Sequence, residues 1–571
     1  MDVLARLRRI PALAWILLGA LAVLLYGNGR VGLIESSEAR YAEVAREMVA
    51  TGDYVSPQID YIYHFTKPPL TYWITSAGYH LWGVNPFGAR YFLALAAVAA
   101  LLLTARLYEI KGGPGSGVRT ALILATAPLF FAMGKVLTTD MFVTLFVVAG
   151  FWFWSLHEEG RMGDRAFAWA FGVTAGLGFL TKGPVPILFW ALALVPYGLW
   201  KDRGRCLRPF LQWRLWASFA LVGLPWYAMA GWRHPGLLAY LAAHESAEAA
   251  YSARRFHAGP WYYYVPVFLA GFLPWWIPLA SRARVLRDPR VRLWLLWAAA
   301  PILVWSLFPS KLPTYILPTL PAWALLAAYA ASDPDGTSRG RAPLALACLT
   351  AAGLGTAALV TTARSPGGGS LGGGDTLLLA LSSAVGLTAA LLAVWGPPRR
   401  ALACLVGALV LLQLAVPGLL AGFESAGKIR QAMGTTLARE RAPGEPVLEY
   451  RTTLFSIPFY IQDRVVVYEN NFYRKKYRDE RLPDHVLPDA PALAAFVRTH
   501  AGIWVVTDAK KEPELAAEIP GLTLVMREGN HSLWASDPVV RRLESSGLLK
   551  AEPPGLRVSA PAAVSPGGPS A

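Results

Sequence analysis

Ionisable side chains near the N-terminus concentrate in residues 35–73, ESSEARYAEVAREMVATGDYVSPQIDYIYHFTKPPLTYW. This stretch carries Glu35, Glu38, Glu43, Glu47, Asp53 and Asp60 together with Arg40, Arg46 and Lys67, and apolar runs flank it on both sides. Further along, ionisable groups recur in connections between apolar runs. These are Lys135 and Asp140, Lys182 in TKGP, His244, Glu245, Arg254, Arg255 and His257 in one loop, and Lys311 in PSKLPTY. Charge at the edge of an apolar run is costly and persists where it has a partner or a purpose. Carboxylates can take the proton of an attacking hydroxyl, and cations can stabilise a departing phosphate. Together they suit transfer of a group from a lipid phosphate. Each residue also has a plainer reading. Lys182 and Lys311 can snorkel to an interface. Asp140 can cap a helix with Thr138 and Thr139. His244 and His257 lack HxH or HExxH spacing and read as loop residues rather than metal ligands.

The elements that would position these groups follow from periodicity. From Ser37 onward Tyr41, Val44, Ala45, Met48 and Val49 share one helical face, with Ser36 or Ser37 as N-cap and Thr51-Gly52 as the stop. This describes a short helix lying flat on a membrane surface, either as part of a catalytic loop or as a joint between two spans. The composition points to a membrane protein: 55% of the 571 residues are hydrophobic, only 16% are charged, and Trp and Pro number 22 and 43. Apolar runs able to cross a bilayer occur near 11–27, 87–108, 117–133, 139–157, 166–181, 184–200, 215–232, 261–280, 292–308, 313–331, 343–363, 375–396 and 401–422. The first is preceded by Arg6, Arg8 and Arg9 and has no small-residue cleavage site, so it reads as an uncleaved span.

Arginine clusters occupy alternate connections, at Arg6/Arg8/Arg9, Arg106/Lys111/Arg119, Arg161/Arg165, 201–214, 282–292, Arg339/Arg341 and Arg399/Arg400. The alternation puts the N-terminus in the cytoplasm and residues 28–86, 233–259 and everything after 422 on the far side. The same placement explains the net charge of +16 better as topogenic charge than as a nucleic-acid patch. After Phe423 the composition becomes that of a soluble domain. PVLEY, RVVVYE, GIWVVTD and LTLVMR read as short strands, and 428–440 and 490–500 as helices. Residues 364–375 form a Gly-rich linker, and the Pro/Ala/Ser/Gly-rich tail from 551 reads as disordered. Cys206, Cys348 and Cys404 have no metal or disulfide spacing.

Several phrases, taken in order, are similar to the bacterial aminoarabinose (lipid A) transferases. That family groups with the protein O-mannosyltransferases among membrane glycosyltransferases of the C type. The phrases are Glu35-Ser-Ser-Glu38-Ala-Arg40-Tyr41-Ala-Glu43, Phe65-Thr66-Lys67-Pro68-Pro69, Thr139-Asp140, Thr181-Lys182-Gly183-Pro184, Leu224-Pro225-Trp226-Tyr227 and Ser310-Lys311-Leu312-Pro313-Thr314-Tyr315. They span roughly residues 30–320 and are specific as an ordered set rather than singly. The resemblance implies about thirteen spans, a periplasmic C-terminal domain, and transfer of a sugar from a polyprenyl-phosphate carrier. It implies an acid important for activity in the first loop, another at Asp140, and a lysine, Lys67, that meets the carrier phosphate. Two departures stand out. The family's Asp-Glu pair is Ser37-Glu38 here, leaving Glu38 or Glu35 as the first carboxylate. The Glu that often precedes the motif lysine, and helps bind a metal, is Thr66.

The sequence therefore leads to an α-helical polytopic membrane protein with a small C-terminal α/β extracytoplasmic domain. Residues 1–422 would form the glycosyltransferase domain, with 28–86 as its first periplasmic loop, followed by the α/β domain at 423–550 and the tail at 551–571. Glu38, Glu35 and Asp140 are the candidate catalytic acids. Lys67, Arg40, Tyr41, Lys182, His244, Glu245, Lys311 and Tyr315 are the candidate substrate-binding residues. No cofactor is assigned, and a divalent metal is left open. The expected partners are a polyprenyl-phosphate-linked sugar, a lipid or glycan acceptor and the bilayer of a bacterial inner membrane, with no nucleic acid. Protein O-glycosyl transfer is the alternative with the same chemistry. A lipid or sugar transporter is the alternative from another class; it calls for midplane charges and repeated halves, which the apolar runs do not show.

Overall fold

A computed structural model describes residues 11–35, 37–242, 258–332, 341–364, 373–422, 429–469 and 483–546. The chain divides into two compact units. One comprises Met1–Val31, Glu47–Gln58 and Tyr63–Gly422; the other comprises Gly32–Arg46, Ile59–Ile62 and Phe423–Ala571.

The first unit is helical. Among the described residues seven helices are long and apolar enough to cross a bilayer: Pro86–Gly112, Thr139–Glu158, Pro289–Leu307, Pro313–Ala331, Arg341–Thr361, Gly373–Trp395 and Pro398–Leu420. The protein is a multi-pass membrane protein. The other expected runs are helical too: those at 166–181 and 184–200 are the single helices Asp164–Lys182 and Val185–Asp202, and the rest are shorter or interrupted. The first is helix α1, Ala12–Leu25. The run at 117–133 is broken into Val118–Ala125 and Pro128–Met133, that at 215–232 into Trp213–Gly223 and Pro225–Arg233, and that at 261–280 into Tyr264–Gly271 and Trp276–Ala280. Pro128 and Pro225 each open the second piece, where a missing N–H costs nothing.

Small residues let helices cross closely where side chains would hold them apart. A Cβ on Gly172 would lie 2.3 Å from the Leu215 carbonyl oxygen, and one on Gly386 2.8 Å from the Ala352 nitrogen. The C-terminal end of α1 is closed by a buried cation. Lys135 Nζ donates to the carbonyls of Leu24 at 2.9 Å and Tyr26 at 2.8 Å and to Asn28 Oδ1 at 2.9 Å. Positive charge is favoured at that end of a helix dipole. Arg90 Nη1 holds the next carbonyls, Asn28 at 2.8 Å and Val31 at 2.7 Å.

The helix expected from Ser37 is α2, Glu38–Thr51, and it stops at Gly52, whose φ is +71°. Its apolar face is as read, but its environment is not that of a helix resting on a surface. Every residue from Tyr41 to Met48 is buried, including Glu43, Arg46 and Glu47. Glu43 and Arg46 are satisfied against each other, with Arg46 Nη2 and Nε donating to the two carboxylate oxygens at 2.6 and 2.8 Å.

The second unit is built on a six-stranded sheet. Its strands, after the short hairpin β1 (Gln58–Ile59) and β2 (Ile62–Tyr63), are β3 (Val447–Tyr450), β4 (Val466–Tyr468), β5 (Val486–Leu487), β6 (Trp504–Asp508), β7 (Leu522–Glu528) and β8 (His531–Ser536), in the order β5-β4-β3-β6-β8-β7. The β5-β4-β3-β6 half is parallel, and β8 joins it antiparallel to β6 and β7. Four of the strands are those read from the sequence. Helices at Gln431–Glu440 and Ala490–Thr499 fall where the sequence placed them. Leu448, Tyr450, Tyr468, Val505, Leu515 and Trp534 form its apolar core.

First-loop residues are part of this unit. Ile34 forms an antiparallel bridge with Ile429, and Leu33 N–H donates to Tyr460 Oη at 3.2 Å. A fully buried Arg430 donates to Asn530 Oδ1 at 2.6 Å and to His531 Nδ1 at 2.9 Å. Burial and the adjacent guanidinium push His531 down to about 4, which keeps its ring a neutral acceptor.

Candidate active site

In the first unit the structure brings together three of the residues singled out from the sequence. Thr139–Glu158 begins at Thr138, whose hydroxyl caps it by accepting from Asp140 N–H at 3.4 Å. The cap is therefore Thr138, and the Asp140 carboxylate is released for another partner. That partner is Lys182, the last residue of Asp164–Lys182, with Nζ 2.6 Å from Asp140 Oδ1. Gly183 follows at φ +57°, a backbone that favours glycine and ends the helix with Lys182 at its negative pole. Tyr315 lies on a 3-10 turn, Pro313–Thr319, and Lys182 Nζ sits 4.8 Å from the centre of its ring. One ammonium is thus shared by a carboxylate and an aromatic face. The side chains of Lys182 and Asp140 are 15% and 9% exposed, so the pair is shielded yet reachable.

Tyr264 belongs to the same group, and sequence reasoning missed it. It is buried and interacts electrostatically with both Tyr315 and Asp140. Its sequence neighbourhood, WYYYVP, gives an aromatic run no ionisable signal to stand out by.

The remaining cations are held individually. Lys311 is 4% exposed and donates to the Phe308 carbonyl, so it does not snorkel to solvent. Its stem runs beside Gly259, where a Cβ would lie 3.1 Å from Lys311 Cδ. Lys67 donates to the Thr66 carbonyl at 2.8 Å, and the Thr66 hydroxyl lies 2.7 Å from His64 Nε2. Trp226 of the LPWY phrase donates to the Val55 carbonyl at 2.9 Å, tying that part of the first loop to the helices. His244 and Glu245 lie outside the described residues.

The first-loop acids belong to the second unit. Glu38 is fully buried, and its Oε2 accepts from Ile34 N–H at 3.0 Å. Glu35 Oε1 accepts from Ser456 N–H at 2.9 Å, at the start of Ser456–Ile461. Its other oxygen is buried with no partner among the described residues. Burial raises its carboxyl to about 7, against the hydrogen bonds to Ser456 and the more distant Arg430 that pull it down. A carboxyl titrating there can accept or give a proton near neutrality. Arg40 lies over the Tyr41 ring, 5.6 Å from its centre.

Residues 33–241 match the family model described as dolichyl-phosphate-mannose-protein mannosyltransferase. An undecaprenyl phosphate-alpha-4-amino-4-deoxy-L-arabinose arabinosyl transferase of Erwinia tasmaniensis is 32% identical over 316 residues, which cover 53% of this chain and 56% of that protein. One of the same name from Edwardsiella ictaluri is 32% identical over 325 residues, 55% of this chain and 58% of the other. The chain thus spans a little over half the length of these curated relatives. In fold it is similar to ArnT from Cupriavidus metallidurans, solved in the apo state and bound to undecaprenyl phosphate. The TM-score is 0.77 in each case, at 22% and 24% identity, covering 91% of this chain and 98% of that one. The resemblance carried by the motifs is present in sequence and in fold.

Proposed function

We propose that this chain, similar in sequence to aminoarabinose and protein mannosyl transferases and in fold to ArnT, is a polyprenyl-phosphate-sugar-dependent glycosyltransferase. It moves a monosaccharide from the carrier to an acceptor on the far side of a bacterial inner membrane. The acceptor is lipid A or another envelope glycolipid or glycan. The arginine alternation places the N-terminus in the cytoplasm and the α/β domain in the periplasm.

The observation that carries this reading is the Asp140–Lys182–Tyr315 group, assembled from three phrases of the motif set that lie far apart in the chain. In the reaction an acceptor hydroxyl attacks the anomeric carbon, its proton passes to a carboxylate, and the bond to the carrier phosphate breaks. Glu38, or Glu35 in its place, is the proposed base, and Asp140 assists. Lys67 meets the leaving phosphate. Lys182 and Lys311 add positive charge, and Tyr315 flanks the sugar. Arg40 and Tyr41 orient the acidic loop, and His244 and Glu245 complete the substrate-binding set. Charge-assisted contacts of this kind each contribute about 1.5–3 kcal/mol.

Protein O-glycosyl transfer is the second reading, favoured by the match to the mannosyltransferase model over 33–241. Mass spectrometry of lipid A and of periplasmic proteins, with and without the gene, separates the two. A sugar missing from lipid A supports the first; one missing only from proteins selects the second; no change in either contradicts both.

A further inference from the structure

The apolar run at 117–133 is interrupted between Ala125 and Pro128, and a cavity of about 180 Å³ lies at the interruption. Its walls come from α1, the two pieces of the broken run and Pro398–Gly422, all within the first unit. Its floor is made of buried side chains, Leu101, Phe130 and Phe131. Val406 and Val410, both half-buried, supply the wall from Pro398–Gly422. The mouth is at Gly19 of α1. That residue is exposed, and a Cβ built on it would meet no atom within 4 Å.

Only Thr126 and Gln413 among the lining residues are polar, and none is ionisable. Both polar side chains are engaged with the protein. The Thr126 hydroxyl donates to the Leu122 carbonyl at 2.7 Å and accepts from Trp275 Nε1 at 3.0 Å. The Gln413 amide donates at 2.9 Å to the Ala125 carbonyl, at the end of the first helical piece. Hydrocarbon is what remains to face the cavity. Such a space offers water too few partners and takes apolar guests instead. With no cation in the lining, it has nothing to hold the phosphate of a headgroup or of a carrier. A gap left empty also forfeits dispersion contacts on every wall. The source of a hydrocarbon guest is the bilayer, because lining residues belong to Pro86–Gly112 and Pro398–Leu420, which are long and apolar enough to cross it.

We infer that this cavity binds one acyl chain of a bilayer phospholipid, inserted past Gly19 toward Phe130 and Phe131 with its headgroup outside. The chain fills the packing place that the broken helix leaves between α1 and Pro398–Gly422. The inference does not depend on the sugar-transfer reading.

The test uses the full-length protein in phosphatidylcholine nanodiscs doped with a phosphatidylcholine that carries a diazirine near the end of one acyl chain. After irradiation, peptide mass spectrometry maps the label. Labelling of residues 16–24 and 406–413 is expected to exceed, several-fold, that of Leu387 and Leu391, which are exposed on Gly373–Trp395 and meet only passing chains. Gly19→Leu puts a side chain into open space in a helix that favours leucine over glycine, so it is expected to fold. It is expected to bring the cavity label down to the level of Leu387 and Leu391 without changing theirs. Val410→Phe, which fills the cavity from the other wall, carries the same expectation. Wild-type labelling of the cavity no higher than that of the two exposed leucines overturns the proposal, as does undiminished labelling in both variants. Loss of the label on adding unlabelled polyprenyl phosphate, but not unlabelled phosphatidylcholine, assigns the cavity to the carrier's chain and also overturns it.

Discussion

An ammonium 2.6 Å from a carboxylate at the meeting of two helix ends has two possible uses, and they respond differently to mutation. Removing one partner leaves the other charge shielded and unpaired, at a cost of about 3–5 kcal/mol for a fully buried pair and less for one partly exposed. Lys182→Met and Asp140→Asn are each expected to lower the unfolding midpoint and to reduce sugar transfer strongly. The double variant is expected to regain most of the midpoint and none of the transfer. Thermal unfolding beside a transfer assay checks this, and recovery of transfer in the double variant would make the pair purely structural. Lys67 calls for a different outcome. Loss of one phosphate contact of about 1.5–3 kcal/mol corresponds to a roughly 10- to 100-fold drop in kcat/KM with folding intact. Lys67→Ala protein that is properly inserted and transfers sugar at the wild-type rate removes that residue from the mechanism.

Glu35 adds a pH dependence whose sign is fixed. Its carboxyl titrates at about 7 in the folded protein, against an ordinary value of 4.5. Between these values the native state keeps a proton that the unfolded chain has lost, so stability falls as pH rises through that window, by up to ~1.4 kcal/mol per pH unit. Glu35→Gln is expected to flatten this slope and to raise the midpoint at pH above 7. An unchanged slope across that window contradicts the assignment. Asp140 and Lys182 were visible in the sequence because a charge beside an apolar run stands out. Tyr264 was not, because a buried phenol in an aromatic run differs from its neighbours only in three dimensions.

At the scale of elements, close helix crossings and closed helix ends do the positioning. Gly172 lets Asp164–Lys182, which ends in Lys182, approach Trp213–Gly223 closely. A methyl group there meets both the Ser218 hydroxyl and the Leu215 carbonyl oxygen, so backbone as well as a side chain is in the way. Gly172→Ala is therefore expected to displace that helix, lowering both the midpoint and the transfer rate by more than an ordinary 1–3 kcal/mol overpacking change. An alanine variant with wild-type stability would show that the crossing opens without cost. Periodicity was enough to locate α2, its stop at Gly52 and the four strands, since local pattern encodes local structure. It did not reveal that the polar side of α2 is buried. Glu43 and Arg46 satisfy each other three residues apart, and on a helix surface the same spacing is an ordinary solvated pair.

At the scale of the molecule, the apolar runs marked the membrane-spanning part before any coordinates, because a long apolar segment is written locally in the sequence. The composition of the second unit was less legible. Ile34 with Ile429 and Glu35 with Ser456 are pairings across some four hundred residues, and no local pattern announces them. They make part of the first loop a component of the α/β unit, so the acids Glu35 and Glu38 are set by a sheet encoded at the other end of the chain.

The proposed function is tested most directly by turnover of a carrier-linked sugar and its dependence on the Asp140–Lys182–Tyr315 group. Purified protein in detergent, given a polyprenyl-phosphate-linked aminosugar and lipid A, is expected to release polyprenyl phosphate in step with glycosylated lipid A. Asp140→Asn is expected to release little of either. Wild-type protein that leaves the carrier-linked sugar unconsumed with lipid and peptide acceptors alike, or an Asp140→Asn variant that matches the wild-type rate, would contradict it.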